Sequence, residues 1–147
     1  MSLKIDLKPG EKFIVNGAVL TAGKRRVSLV LENKAVLLRS KDIMQEREAD
    51  TPAKRIYFAI MLMYIGSGEP AYNERFLHFL NDYLSVTTLR EVRSVLLEIK
   101  DDVENGRFYQ AMRNCKDLIA FEARLFKLGS PAVETNTDAA EAAGVSR

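Results

Sequence analysis

Thr51-Pro52-Ala53-Lys54-Arg55-Ile56-Tyr57-Phe58-Ala59-Ile60-Met61-Leu62-Met63-Tyr64-Ile65 is the stretch that decides the fold. Thr51 offers a side-chain acceptor suited to a helix N-cap. Pro52 suits the first helical position, where its missing N–H costs nothing. From Ile56 to Ile65 every residue is apolar or aromatic. A helix apolar all round has no face for water, so other elements must enclose it. The run is far shorter than the ~20 residues that span a bilayer. It therefore predicts the central helix of a soluble body, or part of a subunit interface.

Downstream the pattern stays helical. Gly66-Ser67-Gly68-Glu69-Pro70 ends the first helix. A second is expected over 71–84, with Phe76, Leu77, Leu80 and Leu84 as its apolar stripe. A third starts near Thr87-Thr88, with Glu91 as the capping-box partner of Thr88, and stops at Asn105-Gly106. A fourth runs over 107–128 with Phe108, Met112, Cys115, Leu118, Ile119, Leu125 and Phe126 inward. Ser130 to Arg147 is rich in Ala, Glu, Thr and Asn, and is expected to be disordered.

Upstream the period drops to two. Leu3, Ile5 and Leu7 alternate with Lys4, Asp6 and Lys8. Pro9-Gly10 is a turn. Phe13-Ile14-Val15 and Ala18-Val19-Leu20 flank Asn16-Gly17, a pair that favours a type I′ hairpin turn. After a basic loop, Val27, Leu29 and Leu31 resume the alternation, and Ala35-Val36-Leu37-Leu38 follows Asn33-Lys34. The result is a meander of four or five short antiparallel strands. The fold class is α+β: a β-rich basic domain over 1–47, a bundle of about four helices over 48–129, and the tail over 130–147.

Composition narrows the function. The 147 residues are 47% hydrophobic, enough for a real core. The N-terminus mixes charge with apolar residues, unlike a signal peptide. The single cysteine, Cys115, excludes an internal disulfide and fits a reducing cytoplasm. Net charge is +2, but residues 1–55 carry +5, residues 56–129 carry −1 and the tail −2. The excess positive charge suggests an anionic partner for the first third, with an ordinary solvated surface as the other reading of the same charge.

No phosphate-cradling loop, dinucleotide fingerprint or zinc motif is present, so no cofactor, metal or catalytic residue is expected. His78 reads as a partly buried structural residue and Cys115 as a small core residue. Glu98, Asp101, Asp102 and Glu104 read as a solvated helix face. The informative charges are Lys24-Arg25-Arg26 in a loop, Arg39 and Lys41 after a strand, and Lys54-Arg55 in the first helical turn. Positive charge there opposes the helix dipole, so the expectation is either a functional or tertiary reason or simple pairing with Glu46, Glu48 or Asp50. Basic loops beside a small sheet suit RNA phosphates. Phe13 is the one aromatic of the first third, too few for a base-stacking platform.

Several segments together resemble the FlbT family of flagellar biosynthesis regulators. They are Leu7-Lys8-Pro9-Gly10-Glu11 with Ile14-Val15-Asn16-Gly17-Ala18-Val19, Val36-Leu37-Leu38-Arg39-Ser40-Lys41-Asp42-Ile43, and Thr51 to Ala59 running into Leu62-Met63. The resemblance implies binding to the 5′ untranslated leader of flagellin mRNA, with repression of translation and promotion of decay; some members of the family are activators. It also implies FlaF as a protein partner. A weaker resemblance to the CsrA family of translational regulators rests on Gly10-Glu11, Arg26 to Leu31, and Ala35-Val36 leading to Arg39 and Ile43. It implies a CsrA-like meander in which Leu3, Lys4 and Arg39 meet RNA. Ile43 lies four residues after Arg39, where that family has three. The RNA-binding candidates are thus Lys4, Lys24, Arg25, Arg26, Arg39, Lys41, Lys54 and Arg55. The other reading is a protein-interaction module, with the helical body docking FlaF, flagellin or a second copy of the chain.

Overall fold

A computed structural model of the chain describes residues 2–66 and 70–129; the expected loop at 67–69 and the tail at 130–147 lie outside the described residues. Five short strands come first: β1 (Leu3–Leu7), β2 (Lys12–Val15), β3 (Ala18–Thr21), β4 (Val27–Leu31) and β5 (Leu37–Arg39). Two single 3-10 turns, Ser40–Asp42 and Glu46–Glu48, lead into the helices. These are α1 (Pro52–Ile65), α2 (Pro70–Val86), α3 (Arg90–Glu104) and α4 (Phe108–Gly129). The α+β class and the strand-then-helix order are as expected.

The strands do not pair as a sequential meander. β1 pairs antiparallel with β4, from Leu3 opposite Leu31 to Leu7 opposite Val27. A second sheet has the order β3-β2-β5. Its hairpin is the one that Asn16-Gly17 predicts, and both residues have positive φ, 50° and 84°. Asn16 also joins the hairpin tip to the approach to β5. Its Oδ1 accepts the Val36 N–H at 2.9 Å, and its own N–H donates to the Val36 carbonyl at 2.7 Å.

β2 lies between two apolar clusters. Ile14, with its β5 partner Leu38, joins the main core of α1, α2, α3 and α4. Phe13 points the other way and packs with Ile5, Leu7 and Ala22. α1 is enclosed as its composition requires: Ala53, Ile56 through Met61, and Met63 are buried. α2 and α4 pack against it, and α3 lies on α4.

Two expected details fail. α3 starts at Arg90, not at Thr88, and no capping box forms with Glu91. The Thr87 hydroxyl instead accepts the Leu89 N–H at 3.3 Å, and Arg93 reaches back to the Leu84 carbonyl at 2.6 Å. The connection thus satisfies its own polar groups before the helix begins. Phe126, expected in the α4 stripe, is 54% exposed.

Gly17 seats the hairpin against the helices. A Cβ there would lie 3.1 Å from the Ile65 carbonyl oxygen, at a φ that L-residues resist. Gly17→Ala is expected to cost about 1–2 kcal/mol. Urea unfolding checks it: the midpoint falls while the slope stays constant.

Candidate functional site

The basic candidates fall into three groups. Lys24, Arg25 and Arg26 are all exposed in the loop between β3 and β4. The loop is shaped from beneath by Gly10, whose N–H bonds to the carbonyls of Ala22 and Gly23, both at 3.1 Å. None of the three charges has a carboxylate partner among the described residues. Lys4 is exposed on β1 opposite Val30, three residues along the strand from the loop end. Arg39 is exposed at the end of β5, opposite Phe13.

Lys41 and Lys54 form the second group and share a cleft of about 400 Å³. Tyr57, Glu48, Met44 and Ile119 also line it, as does a third lysine, Lys116 of α4. At its base Asp42 is buried and ion-paired to the Lys116 ammonium. Lys116 Nζ also donates to the Lys41 carbonyl at 3.3 Å. The Tyr57 hydroxyl donates to the Asp42 carbonyl at 2.7 Å. Burial, and after it the Asp42 charge, push the Tyr57 hydroxyl far above its ordinary range. This network clamps the strand-to-helix connection onto α1 and α4. Lys54 pairs loosely with Asp50 at 3.5 Å. Arg55 stands apart as the third group, beside Phe79, Asp82 and Tyr83.

The first turn of α1 explains how Lys54 and Arg55 are tolerated there. The Thr51 hydroxyl accepts the Lys54 N–H at 3.2 Å. Buried Glu122, reaching across from α4, accepts the Ala53 N–H at 3.1 Å. A carboxylate at a helix N-terminus opposes the dipole with the right sign. Cys115 Sγ donates to the Ala53 carbonyl at 3.3 Å. Burial first, then the Glu122 charge, raise its thiol far above the ordinary range. The thiol is neutral and enclosed, so it is a core group and not a nucleophile.

Of the acidic run at the end of α3, Glu98, Asp101 and Glu104 are exposed as expected, but Asp102 is not part of a solvated face. Asp102 is buried, and it accepts from Arg107 Nε at 3.0 Å and Asn114 Nδ2 at 2.9 Å. It fastens the α3–α4 turn. His78 is likewise not partly buried: its side chain is 68% exposed and lies 3.3 Å from Asp82. Among the described residues no cluster of His, Cys, Asp or Glu is arranged to hold a metal, and no helix is long and apolar enough to cross a membrane.

The family model for the flagellar protein FlbT matches residues 3–126. The chain belongs to the FlbT family. Its relatives include the flagellum biosynthesis repressor protein FlbT of Caulobacter vibrioides (strain ATCC 19089 / CIP 103742 / CB 15), 41% identical over 140 residues, covering 95% of this chain and 99% of the relative. The probable repressor FlbT of Caulobacter sp. (strain K31) is 45% identical over 124 residues, covering 83% and 94%. Probable repressor FlbT 1 of Bradyrhizobium diazoefficiens is 32% identical over 142 residues, covering 94% and 96%. No solved structure matches the chain.

For this FlbT chain, sequence reasoning missed Asp42, Lys116 and Glu122. Glu122 left a readable sign, because it continues the α4 stripe of Ala111, Cys115 and Leu118 as its one charge. Asp42 left none, since a short irregular connection has no period to violate.

Tyr83 makes this interior testable. Burial first, then the charge and hydrogen bonding of Glu122, push its hydroxyl up to about 12. An unfolded tyrosine ionises near pH ~10. The neutral form is therefore favoured by folding. That stabilisation is fully present below pH ~10 and is lost as pH rises through about 12. Urea unfolding between those limits is expected to show a loss of up to ~3 kcal/mol from this group. Tyr83→Phe is expected to flatten the slope, and Tyr57 adds to the loss with the same sign.

Proposed function

We propose that this chain is a post-transcriptional repressor of flagellin synthesis that binds the 5′ untranslated leader of flagellin mRNA in the cytoplasm, lowering translation and promoting decay. The observation that carries a regulatory role is the near end-to-end match to relatives named as flagellum biosynthesis repressors. Support for RNA as the target comes from Lys24, Arg25 and Arg26, three exposed charges with no internal carboxylate partner among the described residues. Lys4 and Arg39 are further exposed charges of the strand half, Lys41 and Lys54 share the cleft with Lys116, and Arg55 lies apart. No covalent step is needed, because occupancy alone blocks a ribosome site or alters nuclease access.

A second reading is a protein-interaction module that docks FlaF or flagellin and acts on mRNA indirectly. The exposed apolar residues Val19, Leu20 and Val30 favour it.

The test is leader binding across a salt series, with wild type beside Lys24→Gln/Arg25→Gln/Arg26→Gln. RNA binding predicts affinity reduced about tenfold or more at low salt, and a salt slope lowered by about two. Binding that ignores both salt and the triple substitution sinks the RNA reading. A stoichiometric FlaF complex that retains no RNA supports the second.

A further inference from the structure

β4 has one paired edge and one free edge among the described residues, since β1 is its only neighbour. A two-stranded ribbon alone is marginal in water. Free edges are normally blunted by charge or proline within the strand. The free edge of β4 has neither: Val27-Ser28-Leu29-Val30-Leu31 is uncharged, and Val30 is 61% exposed. The charges stand just outside it, Arg26 before and Glu32 after, and neither has an ion-pair partner among the described residues.

Their placement is symmetric about Leu29. We propose that β4 pairs antiparallel with β4 of a second copy of this chain, the two-fold axis passing beside Leu29. In that register Leu29 meets its own copy, Val27 meets Leu31 and Ser28 meets Val30. Arg26 of each protomer then faces Glu32 of the other, so two opposite-charge pairs close the ends of the ladder. Sliding the register by two residues in either direction breaks both pairs. Lys24 and Lys34, further out, belong to loops beyond the ladder.

The apolar face is continuous across the same axis. Leu29 lies opposite buried Ile5 on one side of the ribbon, and Val27 and Leu31 share that side with Leu7 and Leu3. Leu29 is still 37% exposed because nothing flanks its outer edge. A second β4 brings another Leu29 to about 5 Å, the spacing of directly opposed side chains. A self-complementary edge of this kind gives a closed two-fold dimer, not an open array. β3 also has a free edge, but Ala18-Val19-Leu20-Thr21 has no flanking charge pair to choose a register. The four-stranded ribbon β1-β4-β4-β1 places the two Lys24–Arg26 loops at opposite ends of the central pair, about 20 Å apart at the strand rise.

The experiment measures the mass of the full chain by light scattering across a dilution series. Wild type is expected to be a dimer. Arg26→Glu alone and Glu32→Arg alone are each expected to weaken self-association at least tenfold, and Arg26→Glu/Glu32→Arg to restore it. Rescue by the double variant separates a pairing role from misfolding. Leu29→Cys is expected to crosslink under mild oxidation, since directly opposed strand residues lie within disulfide reach and Cys115 is buried. A monomeric wild type, a dimer indifferent to both charge reversals, or a Leu29→Cys chain that stays uncrosslinked overturns the pairing. Each readout is independent of whether RNA binds.

Discussion

Burying Ala53 in the first turn of α1 forces its N–H and carbonyl to find partners inside the protein, and the rest of the structure follows from how they do. Ala53 has no access to water. Its N–H goes to Glu122 and its carbonyl to Cys115, both from α4. A buried carboxylate is costly unless something stabilises its charge. Here the helix terminus supplies that stabilisation, and the carboxylate in turn answers the dipole that Lys54 and Arg55 oppose. The position of α4 over the start of α1 is therefore set by polar geometry as well as by packing. Asp42 with Lys116 makes a second bond to the same helix, one that holds the incoming strand segment. Asp102 with Arg107 and Asn114 fixes the turn from which α4 departs. Three buried acids thus orient α4, while the apolar residues between them fill the core.

This division of labour separates what charges can do in each half of the molecule. In the helical half Lys54 and Lys116 are paired with Asp50 and Asp42, while Arg55 is exposed. In the strand half Lys4, Lys24, Arg25, Arg26 and Arg39 are exposed, with no carboxylate held against them among the described residues. A surface intended only for solubility generally mixes its signs. The uneven distribution that the net charge of +2 conceals is therefore carried into three dimensions as a positive strand region above a largely neutralised bundle.

The legible parts of the fold were those with local causes. Thr51-Pro52 marked the start of α1 because a cap and an N1 proline act within one turn, and Asn16-Gly17 marked a hairpin because both φ values are positive. The apolar run after Arg55 told that α1 must be enclosed. The pairing of β1 with β4 was not legible, since it joins segments some twenty residues apart without a turn signal of its own. Thr88 and Glu91 had the letters of a capping box, yet the helix begins at Arg90 with Leu89 at the N-cap, and the Thr87 hydroxyl takes the Leu89 N–H. Of the eight basic candidates, Lys24, Arg25 and Arg26 lie in the loop that the strand pattern and Gly23 marked. Composition could not tell that Lys41 and Lys54 would meet in one cleft with Lys116, because that meeting depends on the α1–α4 packing.

β2 carries a consequence of its own. Phe13 belongs to one apolar cluster and Ile14 to the other, so adjacent residues of a four-residue strand serve opposite sides. A one-residue slip sends every side chain of a strand to the opposite face. In β2 both faces carry a buried residue, Phe13 on one and Ile14 on the other. Inserting or deleting one residue in β2 would drive each side chain into the other cluster's space and disturb both at once. β2 thus acts as the fold's ruler, whose count of residues matters as much as their kind.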